Sequence, residues 1–234
     1  LDKGHTGRAT KGAAMAYLGK AYLFTKDFSK AKEQFEKVIN LGTYSLVSNY
    51  TDNFTETNEN NSESIFELQF DRNIGGIDLG WGGAPGSSWG KTSARAITYG
   101  PPGFGFNDIQ PTKALFNEYQ QEKTVSGALD PRLGATMFYN HPGETLYGKD
   151  FAQNYAGNPA YLNDVFTKKY QNYNNGSVSE YDWRSGINER LMRYADVLMM
   201  YAECLNELGS TSQAYDYIQM VRNRVQLPDL RTTK

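Results

Sequence analysis

The sequence predicts a mainly α-helical protein, in which helical hairpins at both ends of the chain flank a long, irregular insert that contains short strands. Two observations support this prediction. Apolar residues recur at helical spacing near both ends of the 234-residue chain. The middle of the chain has little periodicity and holds most of the aromatic residues and glycines. The periodic ends therefore predict a rigid helical frame. Long loops inside a compact protein are usually functional, so the irregular middle predicts a ligand-binding region.

The first hairpin is predicted over residues 8–42. On its first helix, the apolar positions that recur at helical spacing are Ala14, Leu18, Ala21 and Tyr22. The tetratricopeptide spacing L-G-x-x-Y, followed by A-x-x-x-F, is met by Leu18, Gly19, Tyr22, Ala31 and Phe35. A small residue in this pattern lets two antiparallel helices approach closely. Asp27 can cap the second helix, and Gly42 stands where a left-handed residue would end it.

The second hairpin is predicted over residues 188–227. One apolar stripe runs from Asn188 to Leu208. After a turn at residues 209–212, the returning helix carries Ala214, Ile218 and Val221. The register matches that of the first hairpin. Two repeats so far apart in one chain are unusual, because the units of a repeat protein normally stack on their sequence neighbours.

The insert is predicted over residues 43–187. Ser64–Phe70 alternates, with the apolar side chains of Phe66, Leu68 and Phe70 on one side, and predicts a short strand with one buried face. Pro111–Tyr119 predicts a short helix with proline at its start. Asp130-Pro131-Arg132 predicts a turn.

Several classes of function have no support in the sequence. The formal charge of −2 does not favour nucleic-acid binding, and no apolar run approaches the roughly 20 residues of a membrane helix. Cys204 is the single cysteine, which excludes an internal disulfide, and its apolar surroundings predict a buried core residue. His5 and His141 are too isolated for a metal site or a triad. No cofactor is predicted, and the acidic segment 52–63 is interpreted as a solvated loop, with a calcium site as the alternative.

Four segments of the chain, in the same order, resemble the SusD/RagB family of surface nutrient-binding lipoproteins of Bacteroidetes. These segments are Gly7–Leu23, Glu63–Phe70, Pro111–Tyr119 together with Asp130–Arg132, and Arg190–Leu227. The resemblance implies a single SusD-like domain over residues 1–234. A complete family member also has a lipoprotein signal and further helical repeats before the segment that corresponds to Leu1. We therefore expect this chain to be a truncated or partial member.

The resemblance implies a non-enzymatic protein at the outer-membrane cell surface, held by a lipid anchor that this chain lacks. Its implied role is to capture an oligosaccharide or polysaccharide and to pass it to a SusC-like TonB-dependent transporter. A sugar ring stacks its C–H face on an aromatic ring and hydrogen-bonds polar groups through its hydroxyls. The glycine-rich part of the insert offers both kinds of group, and the candidate ligand-binding residues are Trp81, Trp89, Tyr99, Arg72, Asn73 and Asp78.

Other interpretations of the same residues remain open. The tryptophans and Tyr99 can instead pin the loop onto the body as core residues. Trp183 is expected to pack under the loops, and Phe104 and Phe106 to form a packed strand or bulge. The ligand can be a peptide or another nutrient, because a fold does not determine its ligand. Functions from other classes are a tetratricopeptide scaffold that binds proteins and a glycoside hydrolase, for which no carboxylate pair stands in a recognisable setting.

Overall fold

A computed structural model of the chain describes residues 3–74, 91–174 and 183–233. The N-terminal hairpin consists of α1 (Lys11–Phe24) and α2 (Phe28–Asn40). The predicted cap is confirmed, since the carboxylate of Asp27 accepts a hydrogen bond from the Lys30 amide at 3.2 Å. Gly42 follows α2 with a φ of 62°, which is the left-handed conformation that the sequence predicts there.

The C-terminal hairpin consists of α7 (Tyr194–Glu207) and α8 (Thr211–Asn223). The predicted helix begins too early, because residues 189–193 form strand β6 (Glu189–Arg193) instead. In this strand Arg190 and Met192 are buried while Leu191 is 40% exposed. The period is therefore two rather than 3.6, and the apolar stripe that seemed continuous changes from strand to helix at Arg193.

The two hairpins are adjacent in space although the insert separates them in sequence. Helix α2 packs against α7, so the helices form one stack in the order α1, α2, α7, α8. A single apolar core joins both hairpins, and its fully buried side chains include Ala16, Ala31, Phe35, Val38, Val197, Leu198, Cys204 and Leu205. The insert leaves the stack after α2 and returns to it before α7, which explains how two distant repeats can still be neighbours.

Helix α1 packs through small residues. Gly12, Ala13, Ala16 and Gly19 form its buried face. A Cβ atom on Gly19 would lie 2.7 Å from the Phe35 ring, so only glycine allows this approach of α1 to α2. Two of the apolar positions noted in the sequence, Ala14 and Leu18, are exposed instead. The buried face of α1 consists of small residues because these let the two helix backbones approach closely. The larger apolar side chains of α1, such as Leu18, therefore lie on its exposed face.

Strands β1 (Ser64–Leu68) and β6 pair in antiparallel fashion and close the base of the insert. The buried face of β1 differs from the prediction, because Glu67 is buried and Leu68 is 44% exposed. The reason is electrostatic: Glu67 faces Arg190 of β6, and both side chains are fully buried. A buried charge is stable only with a partner, and here the partner comes from the neighbouring strand.

The rest of the insert is built from short elements around a small aromatic core. Its helices are α3 (Arg95–Tyr99), α4 (Lys113–Gln121), α5 (Pro131–Thr136) and α6 (Phe151–Asn154), and its strands are β2 (Met137–Tyr139), β3 (Thr145–Leu146), β4 (Lys149–Asp150) and β5 (Val165–Thr167). Strand β2 pairs with β5, and β3 pairs with β4. The core consists of Phe138, Leu146, Phe151, Tyr155 and Phe166.

Two local predictions in the insert have different outcomes. The helix after Pro111 is present as α4, and its N-terminal cap is Thr112. The turn at 130–132 is instead the start of α5, because Asp130 caps the helix and Pro131 occupies its first turn. The prediction of a mainly α-helical fold with tetratricopeptide-like hairpins and a loop-rich insert with short strands is confirmed.

Candidate functional site

Three of the six predicted ligand-binding residues can be located in the structure. Arg72, Asn73 and Tyr99 are described, whereas Trp81, Trp89 and Asp78 lie outside the described residues. Arg72 and Asn73 belong to one of two neighbouring chain segments of the insert, and Tyr99 lies in helix α3, which follows that segment in the sequence. We call residues 71–74 with 91–93 the first stem and residues 183–185 the second stem.

The two stems are joined by backbone hydrogen bonds. Within the first stem, the Asp71 amide donates to the Lys91 carbonyl at 2.7 Å, and the Lys91 amide donates to the Ile74 carbonyl at 3.0 Å. Ser93 then pairs with Ser185 of the second stem, its amide donating to the Ser185 carbonyl at 2.8 Å. The two strands of the first stem are therefore held to each other, and Ser93 holds them beside the second stem.

Arg72 holds the first stem to the body of the insert. Its guanidinium donates to Glu56 Oε2 at 3.1 Å and to Asn172 Oδ1 at 3.1 Å. Glu56 itself is pressed against Gly186, where a Cβ atom would lie 2.4 Å from Glu56 Oε1. Arg72 therefore ties the first stem to two other parts of the insert, through Glu56 and Asn172.

Asn73 lies at the rim of the first stem and is exposed. Its backbone amide donates to Asp71 Oδ1 at 2.8 Å, which fixes a tight turn. Its side-chain amide makes no hydrogen bond to the part of the chain that the structure describes. An exposed amide with a fixed backbone offers both a donor and an acceptor to a ligand.

Tyr99 ends helix α3 and is half-buried. The Arg95 guanidinium carbon lies 5.4 Å from the centre of the Tyr99 ring and 4.1 Å from that of Tyr170. Arg95 also forms an ion pair with Glu189. Because Arg95 covers one face of Tyr99, at most the other face is open to a ligand.

Two aromatic rings contact each other beside the second stem: Trp183, which is partly buried, and Phe106, which was expected to pack but is exposed. The Phe106 and Trp183 rings are 5.2 Å apart, and Phe106 is 49% exposed. The backbone at Gly105 lies against α3, where a Cβ atom on Gly105 would be 2.4 Å from the Ile97 carbonyl oxygen. The side chain of the next residue, Phe106, lies on the exposed side of the chain. Phe104 packs as expected, stacked on Tyr147 with ring centres 4.4 Å apart.

We call four residues at or beside the stems the stem site: Asn73 and Ile74, which are exposed, Phe106, which is half exposed, and Trp183, which is partly buried. Ile74 is 54% exposed and binds Lys91 through its carbonyl. The next residue, Thr92, donates to the Trp183 carbonyl at 3.3 Å. The sequence signal for Trp183 was its place among polar residues before the second hairpin. Phe106 had no such signal, because glycine alternation is equally typical of a packed strand.

A buried charge network holds the base of the insert in place. Glu63 is fully buried and accepts from Arg193 at 3.0 Å and from Arg224 at 2.7 Å. It also accepts from the Val47 amide at 3.0 Å and from Asn53 Nδ2 at 3.3 Å. One carboxylate therefore joins α8, β6 and the chain after α2, which fixes the frame to the insert.

The segment 52–63 folds around Arg190 and is not a solvated loop. Its backbone carbonyls at Thr55 and Asn58 accept from Arg190 Nη2 at 3.3 and 3.1 Å. Among the described residues, no group of three or more His, Cys, Asp or Glu side chains could hold a metal ion. Burial raises the pKa of Glu59 to about 7, although its Oε1 accepts from the Asn188 amide at 2.6 Å.

Two other reactive side chains have structural positions. Cys204 is buried in the core of α7, as the sequence predicts, and burial raises the pKa of its thiol to about 11. His141 Nε2 lies 3.0 Å from Glu144 Oε2 at the edge of the insert. None of the described helices is long and apolar enough to cross a membrane.

Comparison with known proteins identifies the family. The model of the SusD family matches residues 62–234. The chain belongs to the SusD family. SusD-like protein P25 of Formosa agariphila is 30% identical over 237 aligned positions, covering 93% of this chain and 42% of that relative.

Solved structures of SusD proteins share the fold. A SusD superfamily protein from Bacteroides vulgatus superposes with a TM-score of 0.79 at 31% identity, covering 95% of this chain and 45% of that one. Surface glycan-binding protein A from Bacteroides thetaiotaomicron, in complex with laminarihexaose, has a TM-score of 0.70 at 22% identity, covering 97% and 49%. The chain spans less than half the length of these relatives.

Proposed function

We propose that the protein is a non-catalytic binding protein that captures an oligosaccharide or polysaccharide at the cell surface and delivers it to a TonB-dependent outer-membrane transporter. The observation that carries this proposal is the stem site of a SusD-family chain, where the accessible aromatic rings of Phe106 and Trp183 accompany the exposed amide of Asn73. Solved structures with the same fold include a SusD-like carbohydrate-binding protein from Bacteroides fragilis and a surface glycan-binding protein in complex with laminarihexaose, and both support the proposal. A lipid anchor in the outer membrane belongs to the same proposal.

The stem site has the chemistry that glycan binding requires. The rings of Phe106 and Trp183 are rigid apolar surfaces for the C–H face of a sugar. The amide of Asn73 can donate to one sugar hydroxyl and accept from another. We propose that Trp81, Trp89, Asp78 and the open face of Tyr99 complete this contact, with residues 43–187 as the ligand-binding region. Arg72 would act by holding the first stem in position.

The carboxylates of Asp71 in the first stem and of Glu56 beside it support binding rather than hydrolysis. Glycoside hydrolysis needs one carboxyl group to donate a proton and a second to attack or to activate water. Here Asp71 accepts from the Asn73 amide and Glu56 from Arg72, so both carboxylates hold the protein's own groups. This arrangement supports capture without cleavage.

Isothermal titration calorimetry with a panel of soluble glycans tests the proposed function. The panel contains neutral glucans, including laminarihexaose, xylo-oligosaccharides, and acidic oligogalacturonates, and a set of unrelated peptides is titrated in parallel. We expect saturable binding to at least one glycan and no release of reducing sugar. Binding to the peptides alone would replace the glycan with a peptide ligand, and cleavage of a bound glycan would contradict the non-catalytic role.

The outward face of α1 is the observation that favours a protein partner. Phe24 is 77% exposed and Leu18 is 45% exposed, on a helix that is apolar on both faces. Contiguous exposed apolar surface on a protein is typical of a site that contacts another protein. In our proposal this face contacts another protein segment, either of the transporter or of a partner in the alternative scaffold function. The calorimetric panel distinguishes the two functions, because a scaffold of this kind would bind none of the glycans.

A further inference from the structure

Residues 170–172, which we call the support segment, follow β5 and belong to no helix or strand. Tyr170, Gln171 and Asn172 are nevertheless all buried, with exposed fractions of 7%, 4% and 6%. Polar side chains are buried where the fold supplies them with hydrogen-bond partners. The partners of this segment therefore show which parts of the insert it holds together.

Asn172 joins the two stems through its side-chain amide. Its Oδ1 accepts from the guanidinium of Arg72 in the first stem at 3.1 Å, and its Nδ2 donates to Ser185 Oγ in the second stem at 3.3 Å. Arginine can only donate, so the contact with Arg72 fixes which way the amide points and directs its Nδ2 to Ser185. One buried amide thus uses an acceptor and a donor on two different stems.

Ser185 is held from two sides and is only 2% exposed. Its backbone exchanges two hydrogen bonds with Ser93 of the first stem, at 2.8 and 3.3 Å. Its hydroxyl accepts from Asn172 and from the Ile187 amide, the latter at 3.4 Å. The backbone pairing joins the stems at one place, and Asn172 joins them at another, through Arg72. Together the two links restrict the rotation of one stem against the other.

These links bear directly on the stem site. Asn73 follows Arg72 in the sequence, and Trp183 lies two residues before Ser185. Arg72 and Ser185 are the two residues that the Asn172 side chain joins. The position of Asn172 therefore helps to set the distance between the Asn73 amide and the Trp183 ring, on which binding at the stem site depends.

The support segment also holds the element that carries Tyr99. The Arg95 guanidinium carbon lies 4.1 Å from the centre of the Tyr170 ring and 5.4 Å from that of Tyr99, within the range of a cation–π contact for both rings. The Arg95 amide donates to Ser93 Oγ at 3.2 Å, so α3 begins against the first stem. Tyr99 and the stems, which belong to different elements, therefore share one buried support.

We propose that Asn172 is a positioning residue of the ligand-binding surface, which acts on a glycan through Arg72 and Ser185 by fixing the spacing of the two stems. This inference rests on the proposed glycan binding, and it adds a residue that the ligand does not need to touch. Holding the stems in their bound spacing before the ligand arrives lowers the cost of ordering them during binding. Affinity then depends on a buried side chain outside the contact surface.

Asn172→Ala removes both contacts and is expected to raise the Kd for a glycan about tenfold, roughly the contribution of one or two hydrogen bonds. Calorimetry with the glycan of the panel that binds the wild-type protein most tightly measures the change. The matched control is Gln219→Ala, which truncates a buried side-chain amide of α8 that donates to Asn223 Oδ1 at 2.6 Å. Both variants are expected to lose stability in urea unfolding, but Gln219→Ala should keep the wild-type Kd. Equal Kd values for Asn172→Ala and the wild type would contradict the positioning role.

The double variant Arg72→Ala with Asn172→Ala tests the route of this effect. If Asn172 acts through Arg72, the two changes remove part of the same link. The double variant should then raise the Kd by less than the product of the two single effects, because changes in directly contacting residues are not independent. Fully multiplicative effects would overturn an action of Asn172 through Arg72.

Residue-resolved amide hydrogen exchange of the ligand-free protein tests the link between the stems without any glycan. We expect faster exchange at the amides of Lys91, Ser93 and Ser185 in Asn172→Ala, because these amides form the pairing of the stems, and wild-type rates there in Gln219→Ala. Wild-type rates at these amides in both variants would overturn the inference and leave the proposed function intact. Faster stem exchange in Asn172→Ala, when the wild-type protein binds no glycan, would contradict the proposed function and retain the link between the stems.

Discussion

At the scale of single residues, the ion pair of Glu67 and Arg190 decides which face of β1 points inward. Both side chains are fully buried, with Arg190 Nε 3.3 Å from Glu67 Oε1. Glu67 also accepts from the Asn60 amide at 3.1 Å and from Asn188 Nδ2 at 3.0 Å. An apolar pattern in the sequence cannot predict this, because the position of the partner strand is a property of the whole fold.

Glu67→Gln is expected to destabilise the protein strongly. Removal of one partner from a buried ion pair leaves an uncompensated charge, which costs about 3–5 kcal/mol. Urea unfolding measures the change. The matched control is Glu33→Gln, which removes the exposed Lys37–Glu33 pair of α2, for which we expect at most about 1 kcal/mol. Equal losses in the two variants would contradict the structural role of the buried pair.

Glu59 makes the stability of the insert depend on pH. Burial raises the pKa of its carboxyl group from 4.5 to about 7. Between these two values the unfolded chain releases its proton and the folded chain keeps it, so the contribution of Glu59 to stability falls as the pH rises. Glu59→Gln keeps an acceptor for Asn188 and is expected to raise the melting temperature at pH 8.

The gain from Glu59→Gln is expected to shrink towards pH 4.5, because there the side chain at position 59 is neutral in both the folded wild type and the folded variant. Melting curves at pH 4.5, 6 and 8 measure this difference. Glu33 serves again as the control, because Lys37 lowers the pKa of its carboxyl group and gives the opposite sign. A constant difference across this range would show that Glu59 is not buried as described.

The stem site depends on two aromatic residues, the partly buried Trp183 and the half-exposed Phe106. Trp183→Ala is expected to weaken glycan binding by tenfold or more, because a stacked aromatic in a binding site typically contributes about 1.5–2 kcal/mol or more. Calorimetry with a glycan that binds the wild-type protein measures the loss. The control is Phe24→Ala, which removes an exposed ring of α1 outside the stem site. Equal binding by Trp183→Ala and the wild type would exclude Trp183 as a contact.

At the scale of elements, glycine in α1 sets the distance between helices. Gly19→Ala is expected to destabilise the protein by about 1–3 kcal/mol, because the added methyl group would overlap the Phe35 ring. The control is Gly134→Ala in α5, where a Cβ atom meets nothing within 4 Å. That change should be neutral or stabilising by up to about 1 kcal/mol. Thermal unfolding compares them, and a stabilised Gly19→Ala would contradict the close approach of α1 and α2.

The elements show why some predictions succeeded. The tetratricopeptide spacing predicted both hairpins, because it combines helical periodicity with the small residue that close packing needs. The start of the second hairpin was misplaced, since Leu191 continues the helical pattern by coincidence while it lies on the outer face of β6. The segment 130–132 was predicted as a turn, because aspartate before proline is typical of both a turn and a helix start.

At the scale of the whole molecule, the stacking of two distant hairpins could not be read from the sequence. It depends on the pairing of β1 with β6 and on Glu63, which accepts from arginines of β6 and the end of α8. The composition of the insert predicts a ligand site there, and that site stays a prediction. The composition could not distinguish Arg72, which holds the first stem, from Asn73, which is open to a ligand, because their roles depend on contacts with Glu56 and Asn172.

The central claim is that the protein captures a glycan at the stem site without cleaving it. A crystal structure of the protein with the tightest-binding glycan of the panel tests this claim most directly. We expect an intact oligosaccharide with a sugar ring against Trp183 or Phe106 and a hydroxyl within hydrogen-bonding distance of Asn73. A glycan bound only away from the stems, or one found cleaved, would contradict it.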